Sequence, residues 1–152
     1  IEVSCFGSPF IYENILWGKG PAIPDQATLD SDIVVRIKDK MWDLIKDERD
    51  RRTQTGGYKV GTDWYHSDTS SRIQQLGLVM MGAGLPPDLY WKTMSGGFVL
   101  MTQTLAGQIF QAAAASDMAI FTIAEQKKAA MLASANPENY DHLSGWPLIY
   151  GE

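Results

Sequence analysis

Between Thr104 and Ala133 the chain runs thirty residues without a proline. Leu105, Ile109, Phe110, Ala113, Ile120, Phe121, Ala124 and Met131 recur there at spacings that gather on one side of a helix. At about 1.5 Å per residue that helix is a rod of about 45 Å, more than a 152-residue globule comfortably covers. The expectation is that part of the rod meets another subunit, or that it breaks near Ser116-Asp117. Ala112 to Ala115 contribute almost no side-chain bulk, so a second helix could approach closely there.

A second long helix is expected over 29–53, capped by Asp30 or Ser31. Val34, Ile37, Met41 and Leu44 follow a coiled-coil seam for two heptads, widened by Ile33, Trp42 and Ile45. Such a stripe packs on its own domain or on the same helix of another copy. The far face carries Asp43 and the run from Lys46 to Arg52. Glu48–Arg52 and Asp47–Arg51 are favourable pairs four apart, each worth about 0.2–0.5 kcal/mol when exposed. Seven basic and five acidic residues between Arg36 and Arg52 nearly cancel. A solvated face is therefore expected, not a nucleic-acid patch.

Gly56-Gly57 ends that helix, and Tyr58-Lys59-Val60 and Trp64-Tyr65-His66 alternate about a Gly61-Thr62-Asp63 turn as a hairpin. Ser67-Asp68-Thr69-Ser70-Ser71 supplies several possible caps, with Ser71 and Gln74 at capping-box spacing, for a middle helix that turns Ile73, Leu76, Val79 and Met80 inward and stops at Gly82-Ala83-Gly84. A second hairpin, Leu89–Thr93 against Phe98–Met101, leads to Thr102 as cap of the last helix. Trp64 with Phe98 and Asp68 with Thr102 share one offset, a weak sign of duplication. The fold class expected is α+β: three principal helices and two β-hairpins forming a small antiparallel sheet, with an extended N-terminal arm (1–28), a main domain (29–152) and an irregular C-terminal tail. Phe6, Phe10, Tyr12 and Trp17 make the arm too aromatic for a solvated linker, so it is expected to dock on its own domain or a neighbour. The tail, with Trp146 and Tyr150, is likewise expected to lie on something.

Composition narrows the chemistry. Thirteen Lys and Arg against eighteen Asp and Glu give a charge of −5, which does not steer the chain to nucleic acid. Its apolar runs are too short to cross a membrane. Ile1 opens the sequence without a secretory-leader pattern, as in a processed chain or one preceded by further residues. One cysteine, Cys5, and two histidines, His66 and His142, leave little for a metal site, and no cofactor is implied. His66-Ser67-Asp68 holds three residue types of a hydrolase, but adjacency is not triad geometry. A strand-end histidine followed by helix caps explains it better. Gly18-Lys19-Gly20 lacks the spacing of a phosphate loop. Trp64-Tyr65 and Trp91-Lys92 could stack on a sugar or a base, although strand aromatics usually serve a core.

From Arg51-Arg52 and Gly56-Gly57 through Tyr58-Lys59-Val60, Trp64 to Asp68 and Ser71 to Leu76, the chain resembles an uncharacterised domain family of tailed-phage and prophage tail genes. Trp91 to Gly96, Phe98-Val99 and Gln108-Ile109-Phe110 continue the resemblance, which covers roughly Ile33 to Trp146. It implies a virion tail component, in the tail fibre or its baseplate attachment, made in the bacterial cytoplasm and acting by assembly. Homotrimers and other tail or baseplate proteins are the implied partners, and no catalytic residue carries over. The expected interface residues are Val34, Ile37, Met41, Leu44, Ile109 and Phe121, with the arm aromatics as a docking element. The rival readings are a fibre-assembly chaperone and a glycan-binding tip using Trp64, Trp91 and His66.

Overall fold

A computed structural model of the chain describes residues 3–5, 15–17 and 25–152. Helix α1 spans Gln26–Thr55, starting three residues before the sequence suggests. Asp25 caps it in place of Asp30 or Ser31, accepting the Thr28 N–H at 2.7 Å. Helix α3 spans Gln103–Ala133 without a break at Ser116-Asp117, and Thr102 caps it as expected by accepting the Leu105 N–H. The two run antiparallel: Lys128 of α3 lies over the Trp42 ring, and Arg49 of α1 lies over the Phe121 ring. Their shared core is Met41, Ile45, Ile120, Ala124 and Met131, closed by Trp146 from the tail.

This pairing brings the C-terminus of α3 alongside α1 near Ile37. Ahead of that point α1 runs on with Ile33, Val34 and Val35 exposed. At its other end α3 outruns α1 and supports the rest of the domain. Strands β3 (Tyr58–Val60) and β4 (Asp63–Tyr65) form the first expected hairpin, and Gly61 at φ 61° supplies the positive dihedral of its two-residue turn. Helix α2 (Thr69–Met81) follows, and strands β5 (Tyr90–Lys92) and β6 (Phe98–Leu100) form the second hairpin. Tyr58, Tyr65, Leu78, Met101, Ala106 and Ile109 make a second core around the N-terminal half of α3.

The α+β class with three helices holds. The expected single sheet does not: the hairpins are separate two-stranded ladders, bridged where Met94 N–H donates to the Trp64 carbonyl at 2.8 Å. A third pair falls in the segment read as an arm, with β1 (Val3–Cys5) antiparallel to β2 (Ile15–Trp17). Phe6, Phe10 and Tyr12 lie outside the described residues, as do the side chains of Cys5 and Trp17.

Helix α2 meets the expectation about its faces only at Val79, which packs against the second core. Of the caps the sequence offers, Asp68 is the one used, accepting the Ser71 N–H. Gln75 and Leu78 are its buried residues, while Ile73 and Met80 stand 66% and 79% exposed and Leu76 is exposed with them. On α3, Phe110 and Phe121 are likewise exposed. No helix among the described residues is long and apolar enough to cross a membrane.

Candidate docking surfaces

The charge run closing α1 is a solvated face only in part: Asp43, Asp47, Asp50 and Arg51 are exposed. Glu48 and Arg52 are buried, and Arg52 is only 5% exposed. Arg52 Nε donates to Glu48 Oε1 at 2.5 Å, and its terminal nitrogens donate to the Pro147 carbonyl and to both Glu152 oxygens. Arg51 turns to Glu48 with two bonds of 2.7 Å; it does not pair with Asp47. Those Arg51 hydrogen bonds hold the Glu48 carboxyl below its ordinary pKa despite burial. The tail therefore folds back as a clasp. Trp146 lies between Arg52 and Lys127, with both cations within 6 Å of its ring centre, and its indole N–H reaches the His142 carbonyl. Asp141 sets the preceding turn by accepting from the Ser144 hydroxyl and from the Ser144 and Leu143 amides, which bring its carboxyl down to about 2. Farther on, Tyr150 N–H donates to the Gly56 carbonyl, and the Tyr150 ring meets Trp64 edge-on.

Several of the residues that carry the sequence resemblance are spent inside the fold. Gly57 sits at φ 72°, and its N–H donates to buried Ser67 Oγ. A Cβ there would meet Met94 Sδ at 2.3 Å and the Tyr65 carbonyl at 2.9 Å. Arg72 donates to the Ser67 and Thr53 carbonyls and, bidentately, to Asp117, and it lies over the Tyr58 ring. One guanidinium thus joins α1, α2, α3 and the first hairpin. Gln75 holds the His66 carbonyl, and Asp68 is a cap. His66-Ser67-Asp68 is therefore a strand-to-helix junction, in which the His66 carbonyl, the Ser67 hydroxyl and the Asp68 carboxylate each serve a different contact.

The expected interface residues divide. Ile109, 1% exposed, and Met41 are buried within this chain, because the hairpin core and the α1–α3 seam use them. Val34 and Phe121 are exposed, and Ile37 and Leu44 are half-buried. Ile37, Lys40, Met41 and Leu44 line an open cleft of about 270 Å³ closed on one side by Glu138. Phe121, Thr122, Glu125, Gln126 and Ala129 line a shallower one of about 560 Å³ on the outer side of α3. Met118, Phe121 and Leu132 make this an exposed apolar stripe. Met118 and Leu132 lie outside the expected set, and their helical spacing from Phe121 is the signal for them; Val35 lies off the α1 stripe and carries no such signal.

Of the aromatics proposed for a glycan site, Trp91 and His66 share a third groove of about 310 Å³ with Gln74, Tyr90, Lys92 and Phe98, while Trp64 is engaged elsewhere by Tyr150.

The fold and these surfaces define an α+β domain with two hairpins on a long helical spine and apolar helix faces left open. Residues 36–143 match the family described as Domain of unknown function (DUF4376), and the chain belongs to it. No curated protein and no solved structure matches it.

Proposed function

We propose that this protein is a structural component of a tailed-phage virion, in the tail fibre or its baseplate attachment, and works by self-assembly into a trimer and docking on neighbouring tail proteins. The observation that carries the assembly reading is the projecting part of α1. Ile33, Val34 and Val35 remain exposed where α3 has ended, on a helix whose propensity alone would not recommend three β-branched residues in a row. Burying a Val or Ile side chain fully is worth about 1.5–3 kcal/mol, so packing the side of three such helices that carries Ile33, Val34 and Ile37 offsets that exposure, while Val35 points away from it. The outer face of α3, with Met118, Phe121 and Leu132, offers a second apolar contact. Assignment to a phage tail rests on the sequence resemblance of the blocks from Arg51 to Phe110.

The test is mass spectrometry of purified particles from a phage encoding the chain. A structural component is present in a fixed copy number per particle. Absence from finished particles, with the chain abundant in infected cells, would instead make it an assembly factor.

A further inference from the structure

The β5–β6 hairpin has its polarity reversed. Strand register pairs Tyr90 with Leu100 and Lys92 with Phe98, so these four side chains share one face while Trp91 and Val99 share the other. Trp91 and Val99 pack toward the core, as the inner face of a half-buried hairpin should. The solvent face ought then to be polar, yet three of its four residues are Tyr, Leu and Phe. Tyr90 is 60% exposed and Phe98 66%. They are diagonal neighbours, about 7–8 Å apart between backbones, which spreads two aromatic surfaces along one wall of the groove. The same groove is lined by His66, from the end of the first hairpin, by Gln74 of α2 and by Trp91.

The polar groups of this groove are uncommitted. The His66 imidazole, the Gln74 amide and the Lys92 ammonium make no hydrogen bond or ion pair among the described residues, although His66 uses its carbonyl for Gln75. Ser71, also at the rim, donates its hydroxyl to Asp68. No carboxylate lines the groove among the described residues. Asp68 touches the lining through Ser71, and its oxygens are occupied by that hydroxyl and amide. In a chain of net charge −5 this is a cationic recess with aromatic walls. At about 310 Å³ it matches the small end of small-ligand clefts, about 300–1,000 Å³.

From this we infer a binding site for a saccharide unit that bears a carboxylate. The C–H face of a pyranose ring lies on the electron-rich faces of Tyr90 and Phe98, its hydroxyls reach His66 and Gln74, and its carboxylate pairs with Lys92. The site is independent of the assembly reading, since none of its residues lies on α1 or α3.

The experiment is a glycan array carrying uronic-acid and sialic-acid oligosaccharides beside neutral counterparts, probed with the full chain and with Tyr90→Ala, Phe98→Ala and Lys92→Gln. Wild type should prefer the acidic glycans. Each aromatic truncation should weaken binding about tenfold, and Lys92→Gln should reduce acidic glycans to the neutral level. All three positions are exposed, so thermal midpoints should stay within about 2 °C. Binding that survives both aromatic truncations, or no binding to any glycan, overturns the proposal and leaves the face to a protein partner. Equal binding of acidic and neutral glycans overturns the role given to Lys92.

Discussion

Replacing Arg52 with alanine is the sharpest probe of the clasp. The guanidinium is buried, touches Glu48 at 2.5 Å, and makes three further bonds to Pro147 and Glu152. Breaking a buried pair by removing one partner costs about 3–5 kcal/mol, because the other charge remains buried. Here Glu48 keeps two hydrogen bonds from Arg51, and Glu152 is accessible enough to regain water. The low end of that range applies, about 3 kcal/mol. For a chain of this size the thermal midpoint should fall by about 6–12 °C. The double variant Glu48→Gln, Arg52→Met removes both charges from the pair and fills similar volume, so it should recover most of the loss. Circular dichroism melts at pH 7 read both. A single variant within 1 kcal/mol of wild type, or a double variant no better than the single, would refute the reasoning. The same cluster dictates an acid response. Glu48 has a folded pKa below its ordinary 4.5, so its contribution is complete above pH 4.5 and disappears as pH falls through the folded value. Glu48→Gln should flatten that part of the stability profile.

Three further outcomes follow from individual contacts. Tyr58 is buried, its hydroxyl has no hydrogen-bond partner among the described residues, and burial pushes its pKa up to about 12; Tyr58→Phe should therefore stabilise by about 1 kcal/mol in urea titration, and a loss of that size would contradict it. Gly57→Ala combines a positive φ with a collision at Met94 and the Tyr65 carbonyl, so it should cost more than about 1 kcal/mol, and a neutral result would mean the turn is built otherwise. Trp146→Ala removes the ring between Arg52 and Lys127 and should cost about 3–5 kcal/mol, with the tail becoming protease-sensitive before the rest of the chain; uniform sensitivity would refute the clasp.

The helices were legible because three- and four-residue recurrence and capping residues are local signals. Thr102 and the Gly82 stop were read from them, and so was α3 through Ser116-Asp117 had the possible break been set aside. Burial was less legible, since it depends on what comes back from far along the chain. Glu48 and Arg52 read as a solvated pair until a tail about a hundred residues away covers them. On α2 the most apolar stripe was assumed to face inward, but the domain buries Gln75 to hold the His66 carbonyl and leaves Ile73, Leu76 and Met80 outside. The same assumption hid the aromatic groove. Strand alternation places Tyr90 opposite Trp91, and only the register with Phe98 and Leu100 reveals that the outer face is the oily one. Val34 and Phe121 kept their place as surface candidates because neither core reaches them.

The account turns on whether the open faces of α1 and α3 are covered by further copies of this chain. Sedimentation equilibrium of the full chain, beside Val34→Asp, measures this directly. Wild type should sediment with a trimer's mass, three times 16.9 kDa, and Val34→Asp, exposed and thus harmless to the fold, should sediment as a monomer with an unchanged melt. A wild-type chain that stays at 16.9 kDa across micromolar to millimolar concentrations would contradict it.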